Sequence, residues 1–272
     1  MDNLSIVKEK AFEIRKIIVE MISKFGSGHI GGALSVTDAL CVLYYDLANV
    51  DAKDPHNPNR DRIIMSKGHA GPALYAILAE KGYFPYEEIY TLNQNGTNLP
   101  SHCDMTKTVG VDMTAGSLGQ GLSCAIGMAI AGKMDKKDYH VYCFLGDGES
   151  QEGQVWEALM YAGNQGLDNL TIFLDNNKIQ LDDWTDNINS IEPFDLKSKA
   201  FNLNTYRIDG HDVQAIRDSI ISAKATKGKC SLIVLDTIKG KGIDWVENKA
   251  PGNHSLPISD VQCKEYCAKE FN

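Results

Sequence analysis

Two short apolar runs end abruptly in oxygen-bearing side chains, and this pairing constrains the fold more than any other feature of the chain. Val141-Tyr142-Cys143-Phe144-Leu145 runs straight into Gly146-Asp147-Gly148-Glu149-Ser150-Gln151-Glu152-Gly153. Leu170-Thr171-Ile172-Phe173-Leu174 runs into Asp175-Asn176-Asn177-Lys178-Ile179. Apolar stretches this short, closed by polar turns, read as buried strands. Two strand ends that bring Asp147 and Asn177 to one edge of a sheet suit a hard cation carrying a diphosphate. A bare diphosphate does not fit, because the Asp147 carboxylate repels it. A bridging cation is therefore required.

The remaining pattern alternates strands with helices. Leu4, Val7, Ala11, Ile14, Ile18, Met21 and Phe25 recur at helical spacing, with Gly26 as a stop. Ser27-Gly28-His29-Ile30-Gly31-Gly32 is glycine-rich and reads as a loop. A second helix is expected from about Ser35 to Leu47, with Asp38 in its first turn where negative charge is favourable. Residues 51–60 read as a polar loop, 62–65 as a short buried strand and 72–81 as a helix. Residues 92–114 read as irregular. Further helices are expected over 118–133, 152–165 and 212–226, and further strands over 206–208 and 232–235. Residues 239–257 read as a loop, closed by a short C-terminal helix. Alternation of this kind implies βαβ units, a mainly parallel sheet and a ligand at the carboxyl ends of the strands. With no internal repeat or linker in its 272 residues, the whole of 1–272 is expected to form a single domain.

Charge and cysteine usage narrow the function. A net charge of −9 argues against sequence-blind nucleic-acid binding, but local donors and a metal still permit an anionic small molecule. No apolar run approaches the roughly 20 residues that span a bilayer, and no signal peptide is evident. Seven cysteines without a pattern fit a reduced, cytoplasmic chain. Cys263 and Cys267, four apart in the C-terminal helix, lack the further ligands of a metal site.

Four of the seven histidines, His29, His69, His102 and His254, lie in or beside loops of small residues. Imidazoles suit hydrogen bonding to hydroxyls and phosphates, and proton transfer near neutral pH. His56, His140 and His211 read as structural or exposed. Glu149 and Glu157 are adequately explained as helix-start charges. Gly116-Ser117-Leu118-Gly119-Gln120-Gly121 has the order G-x-x-G-x-G and lacks a strong preceding strand, so it is not a dinucleotide fingerprint. By itself it reads as a helix start that needs close packing.

Taken together these segments resemble the thiamine-diphosphate enzymes, and within them transketolase. The resemblance rests on Ser27-Gly28-His29-Ile30-Gly31-Gly32, Ser66-Lys67-Gly68-His69-Ala70, Gly116-Ser117-Leu118-Gly119-Gln120-Gly121, and Gly146-Asp147-Gly148 with Gln151-Glu152-Gly153 and Asn177. It implies an α/β, three-layer thiamine-diphosphate-binding fold with a mainly parallel sheet flanked by helices. It also implies Mg²⁺, with Ca²⁺ or Mn²⁺ able to substitute, held by Asp147, Asn177 and the Ile179 carbonyl. His69, Gly116, Leu118, Gly148, Asn177, Leu181 and His254 would contact the cofactor. His29, His69, His102 and His254 would serve the sugar chemistry, and Glu152 would meet a glutamate across a subunit interface.

The implied activity is transfer of a two-carbon ketol unit from a ketose to an aldose, as in pentose phosphate metabolism. The resemblance covers only the family's diphosphate-binding domain. It therefore implies the N-terminal subunit of a split transketolase, active with a C-terminal subunit that carries the pyrimidine-binding domain in an α₂β₂ heterotetramer. The alternatives are a deoxyxylulose-phosphate synthase-like enzyme and a non-catalytic cofactor-binding subunit. The chain departs from the family where Cys103 follows His102 in place of proline, which leaves the donor open between phosphorylated and sulfonated sugars.

Overall fold

The computed structural model describes residues 3–271. Helix α1 (Asn3–Phe25) buries the stripe from Val7 to Ile22 that its periodicity predicts. A two-residue strand β1 (Ser27–Gly28) follows, then α2 (Ile30–Ser35) and α3 (Thr37–Val42). The loop expectation for 30–32 is thus corrected: Ile30, Gly31 and Gly32 open a buried helix. Glycine is needed at position 31 because a Cβ there would lie 2.2 Å from the Asn253 carbonyl oxygen. The single helix expected over 35–47 is likewise broken. It divides at Val36, and its last turn, Leu43–Leu47, widens to a π-helix.

Strand β2 (Arg62–Met65) leads through a 3₁₀ turn at Gly68–Ala70 into α4 (Gly71–Glu80). After a long irregular stretch come α5 (Gln120–Met134), β3 (Val141–Gly146), α6 (Gly153–Gln165) and β4 (Leu170–Asn176). A small hairpin of β5 (Ile179–Gln180) and β6 (Asp183–Trp184) precedes α7 (Thr185–Ile188) and α8 (Phe194–Ala200). Then follow β7 (Asn204–Asp209), α9 (Val213–Ala225), β8 (Ser231–Asp236), α10 (Asp244–Glu247), β9 (Leu256–Pro257) and α11 (Asp260–Cys267). The stretch read as loop over 239–257 therefore contains a helical turn, and its end pairs antiparallel with β1.

Five strands form one parallel sheet in the order β2-β3-β4-β8-β7. Side-chain alternation splits its core in two. Ile63, Met65, Tyr142, Phe144, Phe173, Ile233 and Leu235 face α1–α4 and α9. Ile64, Val141, Cys143, Leu145, Ile172, Leu174 and Val234 face α5, α6 and the Phe194 end of α8. Burial on both faces explains why the strands read as unbroken apolar runs. The result is the helix–sheet–helix sandwich expected. No helix among the described residues is long and apolar enough to cross a membrane.

Asp38 does more than complement a helix dipole. It is buried and takes two hydrogen bonds from Arg15 of α1, at 3.1 and 2.6 Å. Cys263 and Cys267 are free, with their sulfurs 4.0 Å apart in α11.

Gly31→Ala should cost about 1–3 kcal/mol, the usual scale of forcing an atom into a packed interior. Urea unfolding checks this, and an unchanged midpoint would mean that Asn253 yields freely.

Candidate active site

The carboxyl ends of β3 and β4 are adjacent, with Gly146 opposite Asp175. The segments that leave them, 147–148 and 177–181, lie side by side. One Asp147 carboxylate oxygen accepts from the Gly148 amide at 2.7 Å, and the other accepts from the Lys178 amide. The Asn177 amide nitrogen donates to Asp175 Oδ2 at 2.9 Å, which turns its Oδ1 toward the Ile179 amide, 3.2 Å away. Lys178 and Leu181 hold positive φ angles of 66° and 50°. This local strain is the cost of folding the turn tightly around Asp147.

Asp175 anchors the assembly. Lys67 Nζ donates to its Oδ2 at 2.5 Å, Ser35 Oγ donates to the same oxygen at 2.6 Å, and Thr237 Oγ1 donates to Oδ1 at 2.5 Å. Burial opposes charge on Asp175, but Lys67 and these donors win and hold its pKa below the usual carboxylate value. Glu149 ties a third segment in. It is 2% exposed and accepts from Ser66 Oγ at 2.5 Å, the Gly119 amide at 2.9 Å and the Gly146 amide at 2.9 Å. Its reading as an ordinary helix-start charge is corrected accordingly. Gly119, at φ 84°, makes the left-handed turn that starts α5.

These ties gather the histidines. The β1–β9 pairing carries His254 to His29, with ring centroids 5.1 Å apart. The Cys103 amide donates to the Gly68 carbonyl at 3.3 Å, which brings His102 within 5.2 Å of His29. His69 lies 4.8 Å from His254 and 5.8 Å from His29. All the residues nominated from the sequence line one cavity of about 440 Å³: the four histidines, Asp147, Gly148, Glu152, Asn177, Ile179, Leu181, Gly116 and Leu118. Cys103 does not. It is buried behind His102, and burial pushes its thiol up to about 12.

Lys67 and Lys239 also line the cavity, and the sequence reading nominated neither. Lys67 sits in a quoted motif, and a lysine directly after an apolar strand was its available signal. Lys239 had none, since its partners are the Ile179 and Leu181 carbonyls at 3.4 and 3.0 Å. His56 is exposed, whereas His140 and His211 are structural. His140 contacts Thr171 Oγ1 at 2.8 Å, at the opposite end of the sheet.

Burial sets the protonation of the site. Burial pushes the Asp147 carboxyl up to about 7, aided by Asp175. It brings Lys239 down to about 8 against the pull of Asp147. Each shift runs toward the neutral form, because desolvation costs each group more than its partner returns. His254 falls to about 3 by burial and then by Lys239, His69 falls well below its ordinary value by burial and Lys67, and His29 and His102 are lowered chiefly by burial. The imidazoles are therefore neutral near pH 7, each able to donate one hydrogen bond and accept another.

A three-layer α/β domain whose strand-end loops gather Asp147, Asn177 and four histidines into one cavity has the make-up of a cofactor-binding domain of the thiamine-diphosphate type. Residues 6–268 match the family described as transketolase, thiamine diphosphate binding domain. The chain belongs to this family. It is 49% identical over 263 residues to the 6-deoxy-6-sulfo-D-fructose transketolase subunit SqwG of Clostridium sp. (strain MSTE9), covering 97% of this chain and 95% of the relative. It is 38% identical to an apulose-4-phosphate transketolase subunit of Actinobacillus succinogenes, over 93% of this chain and 91% of that one. Mouse transketolase is 38% identical over 94% of this chain, which spans only 40% of the relative. The crystal structure of Campylobacter jejuni transketolase superposes with a TM-score of 0.89 at 30% identity, covering 97% of this chain and 43% of that one.

Lys67→Met leaves Asp175 buried and unpaired, and should cost about 3–5 kcal/mol in urea unfolding. A loss below about 1 kcal/mol would show that the other donors suffice. Stability should also fall on acidification. His254 and His140 both lie near 3 in the fold, so below the unfolded value of 6.5 the unfolded chain binds more protons. Asp147 opposes this between 3.8 and about 7, because it keeps its proton in the fold while the unfolded chain has lost it. The histidines outnumber it. The urea midpoint should therefore drop between pH 7 and 5, and His140→Phe should flatten that slope.

Proposed function

We propose that this chain holds the diphosphate end of thiamine diphosphate with a divalent cation, and that with a partner subunit it transfers a two-carbon ketol unit from a ketose to an aldose. The observation that carries this reading is the convergence of Asp147, Asn177, Ile179 and four neutral histidines in one cavity. The donor set suits Mg²⁺, with Ca²⁺ or Mn²⁺ as substitutes: a carboxylate, an amide oxygen and a carbonyl are all hard ligands. Among the described residues no three His, Cys, Asp or Glu side chains cluster to hold a metal alone. The cation therefore depends on oxygens brought by the diphosphate, and the two bind together. Among the described residues, His254 Nδ1 is buried without a hydrogen-bond partner, as suits a donor aimed at an arriving anion.

When bound, the cofactor supplies the carbanion chemistry that breaks and forms the carbon–carbon bond beside a carbonyl. The chain's residues do the rest. Asp147 and Asn177 fix the cation, and the Gly148 amide and His69 bind the diphosphate. The Gly116 carbonyl and the Leu118 and Leu181 side chains orient the rings. His29, His69, His102 and His254 line the space left for the sugar. Neutral and closely spaced, they take and return hydroxyl protons without a net charge change in the pocket. Glu152 is exposed at the cavity rim, where it is free to meet a glutamate of the partner.

The partner is a subunit carrying the pyrimidine-binding domain, and two copies of each chain assemble as α₂β₂. The whole of this chain acts as one domain in that assembly. Its cysteines are free, in keeping with a reducing cytoplasm. The donor is a ketose with a terminal anion. A sulfonate is favoured over a phosphate because the relative sharing 49% identity is named for a sulfo sugar.

Ketol transfer should appear when the chain is mixed with its partner, thiamine diphosphate and Mg²⁺, and a donor panel should rank the sulfonated ketose first. Turnover by this chain alone would overturn the split-enzyme reading. Asp147→Ala should abolish Mg²⁺-dependent cofactor binding by calorimetry, and unchanged affinity would show that the cation is held elsewhere.

A further inference from the structure

The segment 237–242, which follows β8, delivers Lys239 into the cavity and is pinned at each residue in turn. The Thr237 hydroxyl donates to Asp175, and the Asn253 amide nitrogen donates to the Lys239 carbonyl at 2.8 Å. The Gly240 amide donates to the Gly31 carbonyl at 3.1 Å, and Arg15 Nε donates to the Lys241 carbonyl at 3.0 Å. The Gly242 amide donates to Glu247 Oε1 at 2.7 Å, and the remaining pin is His211. The Ile238 amide donates to its Nε2 at 2.9 Å, and its Nδ1 lies 2.8 Å from Asp38 Oδ2.

This geometry fixes the tautomer. A backbone amide can only donate, so Nε2 carries a lone pair. Nδ1 therefore carries the proton and donates to the Asp38 carboxylate. Asp38 is in turn held by two bonds from Arg15, which itself reaches Lys241. Arg15 and Asp38, both buried, and the half-buried His211 thus form one relay that grips the segment on both sides of Lys239. Among the described residues, none of the relay's hydrogen bonds goes to a residue nominated for the cofactor.

We propose that His211 is a positioning residue for the anion-binding end of the cavity: its Nε2 lone pair holds the Ile238 amide and so sets where Lys239 places its ammonium beside the Ile179 and Leu181 carbonyls. Lys239 is 3% exposed, so it has little freedom to correct a displaced backbone. An orienting partner of this kind controls a charged group through direction, and its loss is felt as affinity. The proposal rests on the reading that the cavity holds a diphosphate.

The test compares His211→Asn with His211→Gln in the full chain co-purified with its partner subunit. Asparagine can still donate to Asp38 from the Nδ1 position but is too short to accept from Ile238. Glutamine places an acceptor near the Nε2 position. The Asn variant should keep its Tm within a few degrees. Its Kd for thiamine diphosphate with Mg²⁺ should rise about tenfold or more, while kcat at saturating cofactor stays within about twofold. The Gln variant should recover most of the affinity. In the cofactor-free protein, amide exchange at Ile238 should speed up in the Asn variant and slow again in the Gln variant. Wild-type affinity and Ile238 exchange in the Asn variant would overturn the proposal, as would a loss of kcat with unchanged Kd. Failure of the wild-type protein to bind the cofactor would instead overturn the diphosphate reading, and Ile238 exchange would still decide whether His211 holds the segment.

Discussion

Asp175, the last residue but one of the central strand β4, is fully buried, and its pairing with Lys67 is the interaction on which the rest of the site depends. Two charges removed from water are costly unless every remaining lone pair and proton is used. Here they are used. Asp175 accepts from Lys67, Ser35, Asn177 and Thr237, and Lys67 also donates to the Gly32 carbonyl at 3.0 Å. Those partners belong to α2, the β2–α4 connection, the turn after β4 and the segment after β8. A single carboxylate therefore joins four pieces of chain that have no apolar reason to meet at a sheet edge. Hydrophobic burial forms the sandwich, and this polar knot determines how its loops converge.

The same low dielectric that strengthens the knot leaves the cavity electrically quiet. Lys67 is committed to Asp175. Asp147 and Lys239 titrate near neutrality, and the imidazoles are uncharged. A site of this kind attracts an anion weakly by itself, and the chain's net charge of −9 gives no long-range help. On the function proposed above, the cation supplies the missing positive charge. Its arrival also restores the charge of Asp147, because a bound cation favours the carboxylate over the acid.

Much of this was legible in the sequence, for identifiable reasons. The parallel strands showed as apolar runs because they are buried on both faces, and the abrupt onset of Asp147 and Asp175 marked the carboxyl ends of β3 and β4. The loop histidines stood out because Gly, Ser and Pro around them allow little else. The failures share a cause. Helix α2 looked like a loop because Gly31 answers to Asn253, more than 200 positions away, and Gly32 to His69. Glu149 looked like a helix-start charge because its partners, Ser66 and Gly119, are distant in sequence. Lys239 and His211 act through backbone carbonyls and amides, which leave no trace in residue type. Local propensity is readable from a window of sequence, and long-range polar pairing is not.

That distinction separates two kinds of residue in the site. Asp147, Asn177 and the four histidines present atoms to the cavity, so their chemistry is fixed by their own side chains and announces itself as a motif. Glu149, Asp175, Asp38 and His211 do not line the cavity: Glu149 and His211 hold backbone amides, and Asp175 and Asp38 hold the side chains around them. Their requirement is geometric, a donor or acceptor at one point in space, and another side chain that reaches that point can meet it. A motif search therefore finds the groups that touch the ligand and misses those that aim them. Leu181, 57% exposed at the mouth, marks the limit of that aiming. The end of the cavity beside Asp147 and Asn177 is held by a dense buried network, while Leu181 at its mouth is left to solvent by this chain. The rigidity is concentrated where charge must be placed against charge, since electrostatic energy changes steeply with distance at short range.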